Sequence, residues 1–163
     1  MESSFNNDKS DVFREVVIFE DEFSRDSHKA LFFLDDVCYR QNDNNIVNTI
    51  QEAAQTGLSK LHVSAGWENI LKIAVWSCDR PHIHEVLALI RKTGVKEEEL
   101  RPFSHSDIND IFPWLYYSNR FDILRKICNA AKSRIESRID SKKVLVYCHL
   151  VPEGTRKIIA SSL

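Results

Sequence analysis

Glycine and proline are scarce in this chain of 163 residues, with only four of each. Sandwiches and barrels need many tight turns, which these two residues favour. Their scarcity therefore favours a helical fold. The hydrophobic fraction of 43% with 28% charged residues is typical of a folded protein, and the length suits one domain.

Targeting and spanning segments are also lacking. The start, MESSFNNDKSDVF, has neither the basic region nor the apolar core of a signal peptide, and no apolar run reaches the roughly 18 residues of a membrane-spanning helix. The four cysteines lie far apart, without a C-x-x-C pair. We therefore expect free thiols in a cytoplasmic, reducing compartment, of the cell itself or of a host.

Motifs of common catalytic sites are missing as well. The isolated glycines form no phosphate-binding loop, and neither HExxH nor GxSxG occurs. We therefore expect a protein that is not an enzyme, with no catalytic residue, no resident metal and no cofactor.

Apolar residues at three- and four-residue spacing predict a series of helices. They cover about 28–40, 45–56, 67–78, 82–93, 107–117 and 119–139, with a last short helix after Pro152. The segments VVIFEDEF and VLVYCHLV (144–151) fit either a helix or a short strand. Residues 1–9 are expected to be disordered.

A weak internal repeat suggests how these helices are arranged. Residues 38–57 align without gaps on residues 75–94, an aromatic residue recurs as Tyr39, Trp76, Trp114 and Tyr147, and both aligned segments end in TG. Helical pairs stacked at a regular period bury a shared core between neighbours, which makes a short α-solenoid.

The segment LKIAVWSCDRPHIHEVLALI resembles the helix–turn–helix core of ankyrin repeats, with Ala74 at the small position of the first helix and Ile83, Val86 and Leu87 in the second. The Thr-Pro-Leu-His opening and the Gly-His turn of that family are absent, so a generic stack of helical hairpins is an equal alternative. The resemblance implies one all-α domain over residues 1–163, a stack of about four helical hairpins. The candidate repeat units are 28–57, 67–94, 107–139 and 141–162.

Such a stack acts by binding another protein, as an adaptor or inhibitor. The turns between paired helices line one edge of a solenoid, and aromatic and arginine side chains dominate binding hot spots. The expected interface residues are Trp76, Arg80, His82, Tyr116, Tyr117 and Arg120. The identity of the partner and the formation of a homodimer stay open.

Two other functions remain as alternatives. Cys78, His82 and His84 include zinc-ligand types, but a metal site here needs a remote ligand such as Cys38, Cys128, His62, His105 or His149. A nucleophilic pair of Cys78 and His82 needs an orienting third group and oxyanion donors, which no local motif supplies. The basic residues of 119–143 suit a nucleic-acid-binding face, although acidic residues interrupt them.

Overall fold

A computed structural model describes residues 14–139 and 144–162 of the chain. The predicted disorder of residues 1–9 lies outside these ranges. The strands are β1 (Glu15–Phe19), β2 (Tyr39–Gln41), β3 (Lys60–Ala65), β4 (Leu145–Leu150) and β5 (Ala160–Ser161). The helices are α1 (Glu22–Phe32), α2 (Ile46–Ala54), α3 (Trp67–Val75), α4 (Ile83–Lys92), α5 (Glu97–Leu100), α6 (Ile108–Tyr117) and α7 (Phe121–Arg138).

The five strands form one mixed sheet in the order β2-β1-β3-β4-β5. The first four are parallel to their neighbours, and β5 runs antiparallel to β4. The fold is therefore α/β, and the predicted all-α architecture is wrong. Parallel strands are joined by helices rather than by tight turns, so an α/β chain can be poor in glycine and proline.

Strands occupy both segments that the sequence left undecided. VVIF lies in β1, so the strand is right for this segment and the helix that its apolar spacing predicted over about 11–22 is wrong. LVYCHL forms β4. The segment KLHVSA, for which no strand was predicted, is β3 at the centre of the sheet. The short helix predicted after Pro152 is absent, since residues 152–159 are irregular and lead into β5.

The predicted helical repeat and the resemblance to ankyrin repeats are also wrong, because the recurring aromatic residues lie in different kinds of element. Tyr39 lies in β2 and Tyr147 in β4, whereas Trp76 caps α3 and Trp114 lies inside α6. The recurring aromatic residues thus have no common structural role. The two aligned segments share only a helix, α2 or α4, followed by a glycine with positive φ.

Most helices after β1 are close to their predictions. Asn45 caps α2 and Asp107 caps α6, each by accepting hydrogen bonds from backbone N–H groups of the first turn. Helix α6 continues through Pro113 without splitting. No helix among the described residues is long and apolar enough to cross a membrane.

The two faces of the sheet differ in chemistry. Leu61, Val63 and Ala65 of β3 join one large apolar core with residues from α2, α3, α4, α6 and α7. On the other face, α1 buries polar residues against the sheet, and the Ser64 hydroxyl donates to the Ser24 carbonyl oxygen at 2.8 Å.

Helix α1 buries polar side chains and exposes apolar ones, the reverse of an ordinary amphipathic helix. Its buried residues are Ser24, Ser27 and His28, while Leu31 is 62% exposed. The predicted helix over 28–40 assumed that its leucines face inward, and α1 instead ends at Phe32. Because buried polar groups need hydrogen-bond partners, this face is a place to look for function.

Candidate metal centre

Three buried histidines from distant parts of the chain converge between α1 and the sheet. His28 lies on α1, His62 on β3 and His149 on β4, with exposures of 0%, 0% and 2%. Residues two apart on a strand point to the same face, and Ser64 pairs with His149, so His62 and His149 share one face. The potential ligand atoms of His28, His62 and His149 all lie within 4.8 Å of one another. Within residues 14–139 and 144–162, no other group of three or more His, Cys, Asp or Glu side chains could hold a metal ion.

His62 is the centre of this histidine cluster. Its Nδ1 lies 2.9 Å from His28 Nε2 and 3.1 Å from His149 Nε2. Its Nε2 lies 2.8 Å from Glu15 Oε1. An ionised carboxylate only accepts hydrogen bonds, so His62 carries its proton on Nε2 and presents the Nδ1 lone pair to the other two rings.

Hydroxyl groups complete the network at the outer nitrogens. His28 Nδ1 lies 2.8 Å from the Tyr39 hydroxyl, and His149 Nδ1 lies 2.7 Å from the Ser161 hydroxyl. Without a metal, the Nε2–H groups of His28 and His149 donate to His62, and the hydroxyls donate to the Nδ1 atoms. Because a hydroxyl also accepts, the same residues satisfy the opposite tautomer, in which both Nε2 atoms are free to bind a metal.

The surroundings keep all three rings neutral. Burial, together with the neighbouring His62 and His149, lowers the pKa of His28 to about 2. Burial likewise lowers the pKa of His149 to about 3. The pKa of His62 is also lowered by burial, against the opposing effect of Glu15. Neutral imidazole is the form that binds a metal ion, so the ligands need not lose protons at neutral pH.

Two of the nitrogen–nitrogen distances are close to those around a tetrahedral metal ion. With metal–nitrogen distances of about 2.0–2.1 Å, tetrahedral geometry places two ligand nitrogens about 3.3 Å apart. The two distances at His62 Nδ1 are 2.9 and 3.1 Å, within a few tenths of an ångström of that value, and all three ligand atoms lie within 4.8 Å of one another. The outer partners Glu15, Tyr39 and Ser161 match the second-shell groups that orient metal-binding histidines.

An aromatic residue lies against the cluster. The centroid of the Phe32 ring is 4.4 Å from that of His28, 5.0 Å from that of His62 and 5.1 Å from that of His149. Phe32 is 38% exposed, whereas the histidines are buried. Its ring therefore lies between the cluster and solvent.

The predicted interface residues lie outside the histidine cluster, on or next to the helices α3, α4, α6 and α7. Trp76 is half-buried against the apolar core in the left-handed conformation, with φ 56°. Arg80 forms ion pairs with Glu68 at 3.0 Å and Asp107 at 2.6 Å. His82 is the N-cap of α4, and its Nδ1 accepts a hydrogen bond from the backbone of His84.

The other three interface residues surround the end of α6. Tyr117 is 81% exposed and contacts the half-buried Tyr116 edge to face at 5.3 Å. Arg120 lies over the Trp114 ring and donates a hydrogen bond to Glu99 at 2.9 Å. Some of these side chains are accessible, but nothing in their arrangement identifies a ligand.

The other two sequence alternatives gain little from the geometry. Cys78 is exposed with Sγ 3.8 Å from Asn48 Oδ1, and the rings of His82 and His84 stack at 4.9 Å. None of these three belongs to the potential metal-ligand group among the described residues. On the basic segment, Lys126 donates to the Thr93 carbonyl oxygen, while residues 140–143 lie outside the described ranges.

A cavity of about 440 Å³ opens at the carboxyl ends of β1 and β3, where the strand order reverses. Ligands of open α/β sheets often bind at this position. Here, however, Glu20 accepts hydrogen bonds from Gly66 N and Asn69 Nδ2, and Asp21 caps α1. Glu68, a third carboxylate of the cavity, pairs with Arg80. These carboxylates stabilise the fold, and the histidine cluster is the stronger candidate site.

Sequence reasoning considered His62 and His149 only as remote partners of Cys78, and it did not consider His28. The available signal was the alternation in KLHVSA and VYCHL, which places each histidine between apolar residues of a strand. No protein-family model, curated protein or solved structure matches the chain.

Proposed function

We propose that this protein binds a zinc-type transition-metal ion through His28, His62 and His149. The observation that carries the proposal is the convergence of three neutral, buried imidazoles on one point, each with an outer hydrogen-bond partner. Imidazole suits zinc, copper, nickel and iron, and a set of three histidines is an established ligand set for zinc.

The cluster is already organised for a metal. The rings are held in place by Glu15, Tyr39 and Ser161, so little rotamer freedom remains to be lost on binding. The ion bridges α1, β3 and β4, so it binds the folded chain and not the unfolded chain. At a free zinc concentration of 100 times its Kd, it raises the free energy of unfolding by about 2.7 kcal/mol.

The test is a zinc titration of the purified full chain in competition with a chromophoric chelator, together with elemental analysis. We expect one tightly bound ion per chain. Loss of a residue that only orients a metal ligand lowers metal affinity by about 10- to 100-fold. His149 binds the metal itself, so His149→Gln should lower the affinity by at least about 100-fold. The matched control is His84→Gln, which removes an exposed histidine outside the cluster.

Circular dichroism establishes that each variant is folded before its affinity is compared. Binding of no stoichiometric ion by the folded wild type would refute the proposal. Equal loss of affinity in His84→Gln and His149→Gln would refute it too, because it would place the ion elsewhere.

Binding to another protein is a second candidate, and the adaptor or inhibitor role stays a prediction. One observation favours it at a new position: Leu31 is 62%, Phe33 82% and Val37 90% exposed, around the exposed Asp35. Exposed apolar side chains in a group are typical of interaction sites, and the acidic residue favours a basic partner segment. Residues Trp76, Arg80, His82, Tyr116, Tyr117 and Arg120 are the competing surface.

Affinity capture with quantitative mass spectrometry separates the two surfaces. The new position predicts that Leu31→Ser with Phe33→Ser releases a partner that Tyr117→Ser retains. The reverse pattern supports the sequence-based surface, and retention by both variants argues against either one. A cytoplasmic location and the absence of enzymatic activity also remain proposals. The free thiols of Cys38 and Cys78, neither of them fully buried, suit a reducing compartment.

A further inference from the structure

We infer that the metal ion at the histidine cluster takes a small anion as its fourth ligand, an inference that rests on the proposed function. The protein supplies three ligands to the proposed ion. His28, His62 and His149 form the complete group of neighbouring His, Cys, Asp and Glu ligands among the residues that the structure describes. Zinc-type ions are four-coordinate in proteins, and sites with three protein ligands leave one position for an exogenous group.

The charge of the metal centre favours an anionic fourth ligand. Three neutral imidazoles leave the full charge of a divalent ion uncompensated. Glu15, at 2.8 Å from His62 Nε2, supplies one negative charge, but Lys60 Nζ lies 3.4 Å from the same Glu15 oxygen and offsets it. An uncompensated charge in a buried position is costly. An anionic fourth ligand reduces that cost, which a neutral ligand does not.

The surroundings of the cluster limit the size of the fourth ligand. The three ligands are between 0% and 2% exposed, and the Phe32 ring packs within 5.1 Å of each of their rings. A large ligand that approaches from the side of Phe32 has to displace its ring. Anions of two to four heavy atoms fit this restriction. The class is therefore a small monovalent anion, such as azide, formate or hydrogen carbonate.

The experiment uses the full chain loaded with Co²⁺, whose visible absorption bands report the geometry and ligands of the metal. Azide is the probe. We expect intense tetrahedral bands before azide, and a saturable shift with one azide per metal ion. Phe32→Ala should raise the rate of azide association by about tenfold or more, as expected when a blocking ring is removed from the approach path. Phe32→Leu, which keeps an apolar side chain at the same place, should resemble the wild type.

The outcomes distinguish this inference from the proposed function. If Co²⁺ binds but azide leaves its bands unchanged in both the wild type and Phe32→Ala, the anion site is refuted while the metal site stands. If no Co²⁺ binds, both proposals fail. If Phe32→Ala does not fold, the azide titration of the wild type decides the question alone, with His84→Gln as its control.

Discussion

Acidification should weaken the metal-free fold steeply, because the histidine cluster resists protonation. The pKa values of His28 and His149 in the folded protein are about 2 and about 3, below the value of 6.5 expected in the unfolded chain. Below pH 6.5 the unfolded chain takes up protons that the folded protein does not. Stability is therefore complete above pH 6.5 and is lost as the pH falls towards the folded values.

The magnitude follows from these values. Between pH 7 and pH 5, protonation of one unfolded-state imidazole lowers the free energy of unfolding by about 2 kcal/mol. His28 and His149 together give about 4 kcal/mol, a large part of the 5–15 kcal/mol typical of a domain. His62 acts in the same direction. Burial raises the pKa of Glu20, so protonation of its carboxyl offsets part of the loss.

The assay is urea unfolding followed by circular dichroism at pH 7 and pH 5, with a chelator present. In His149→Gln, which keeps a polar side chain at the site, the loss between the two pH values should be smaller by about 2 kcal/mol. A wild type that is equally stable at both pH values would contradict the account of a buried neutral cluster. So would an unchanged pH dependence in folded His149→Gln.

Two further variants test the packing. Phe33 has φ 51° at the C-cap of α1 and is 82% exposed, so Phe33→Gly should raise the free energy of unfolding by about 1 kcal/mol, whereas Phe33→Ala should not. Equal effects of the two substitutions would show that backbone strain is not the cause. Ile70 is fully buried in the apolar core, so Ile70→Ala should cost about 2–5 kcal/mol and Ile70→Val about 0.5–1.5 kcal/mol in urea unfolding. A cost below 1 kcal/mol for Ile70→Ala would contradict its placement in that core.

The parts of the fold that the sequence predicted are those governed by local chemistry. Asp107, one of two expected caps, begins α6, and Gly57 and Gly94, expected at helix ends, follow α2 and α4 with positive φ. These signals depend on neighbours a few residues away, so periodicity and capping rules find them. They do not say what the helices pack against, and the sheet between them was missed.

The missed strand and the missed site have one physical cause, which is a buried polar face. In β3, His62 and Ser64 are as buried as Leu61 and Val63. The alternation in KLHVSA indicates a strand with one polar side, but it does not indicate that this polar side is covered as well. In α1, the buried face includes His28 and no leucine. The register of β3 against β4 brings His62 and His149 together, and the packing of α1 on the sheet adds His28. No local pattern encodes either arrangement.

The order of the elements has a consequence for how the cluster is assembled. Strand β4 lies beside β3, yet the chain reaches it only after helices α3 to α7. His149 is therefore synthesised after His28 and His62, and a nascent chain that has not yet reached β4 holds only two of the three ligands. Contacts across such a separation form late in folding. A bound ion should then slow unfolding far more than it speeds folding, so that the metal acts mainly on the lifetime of the finished protein.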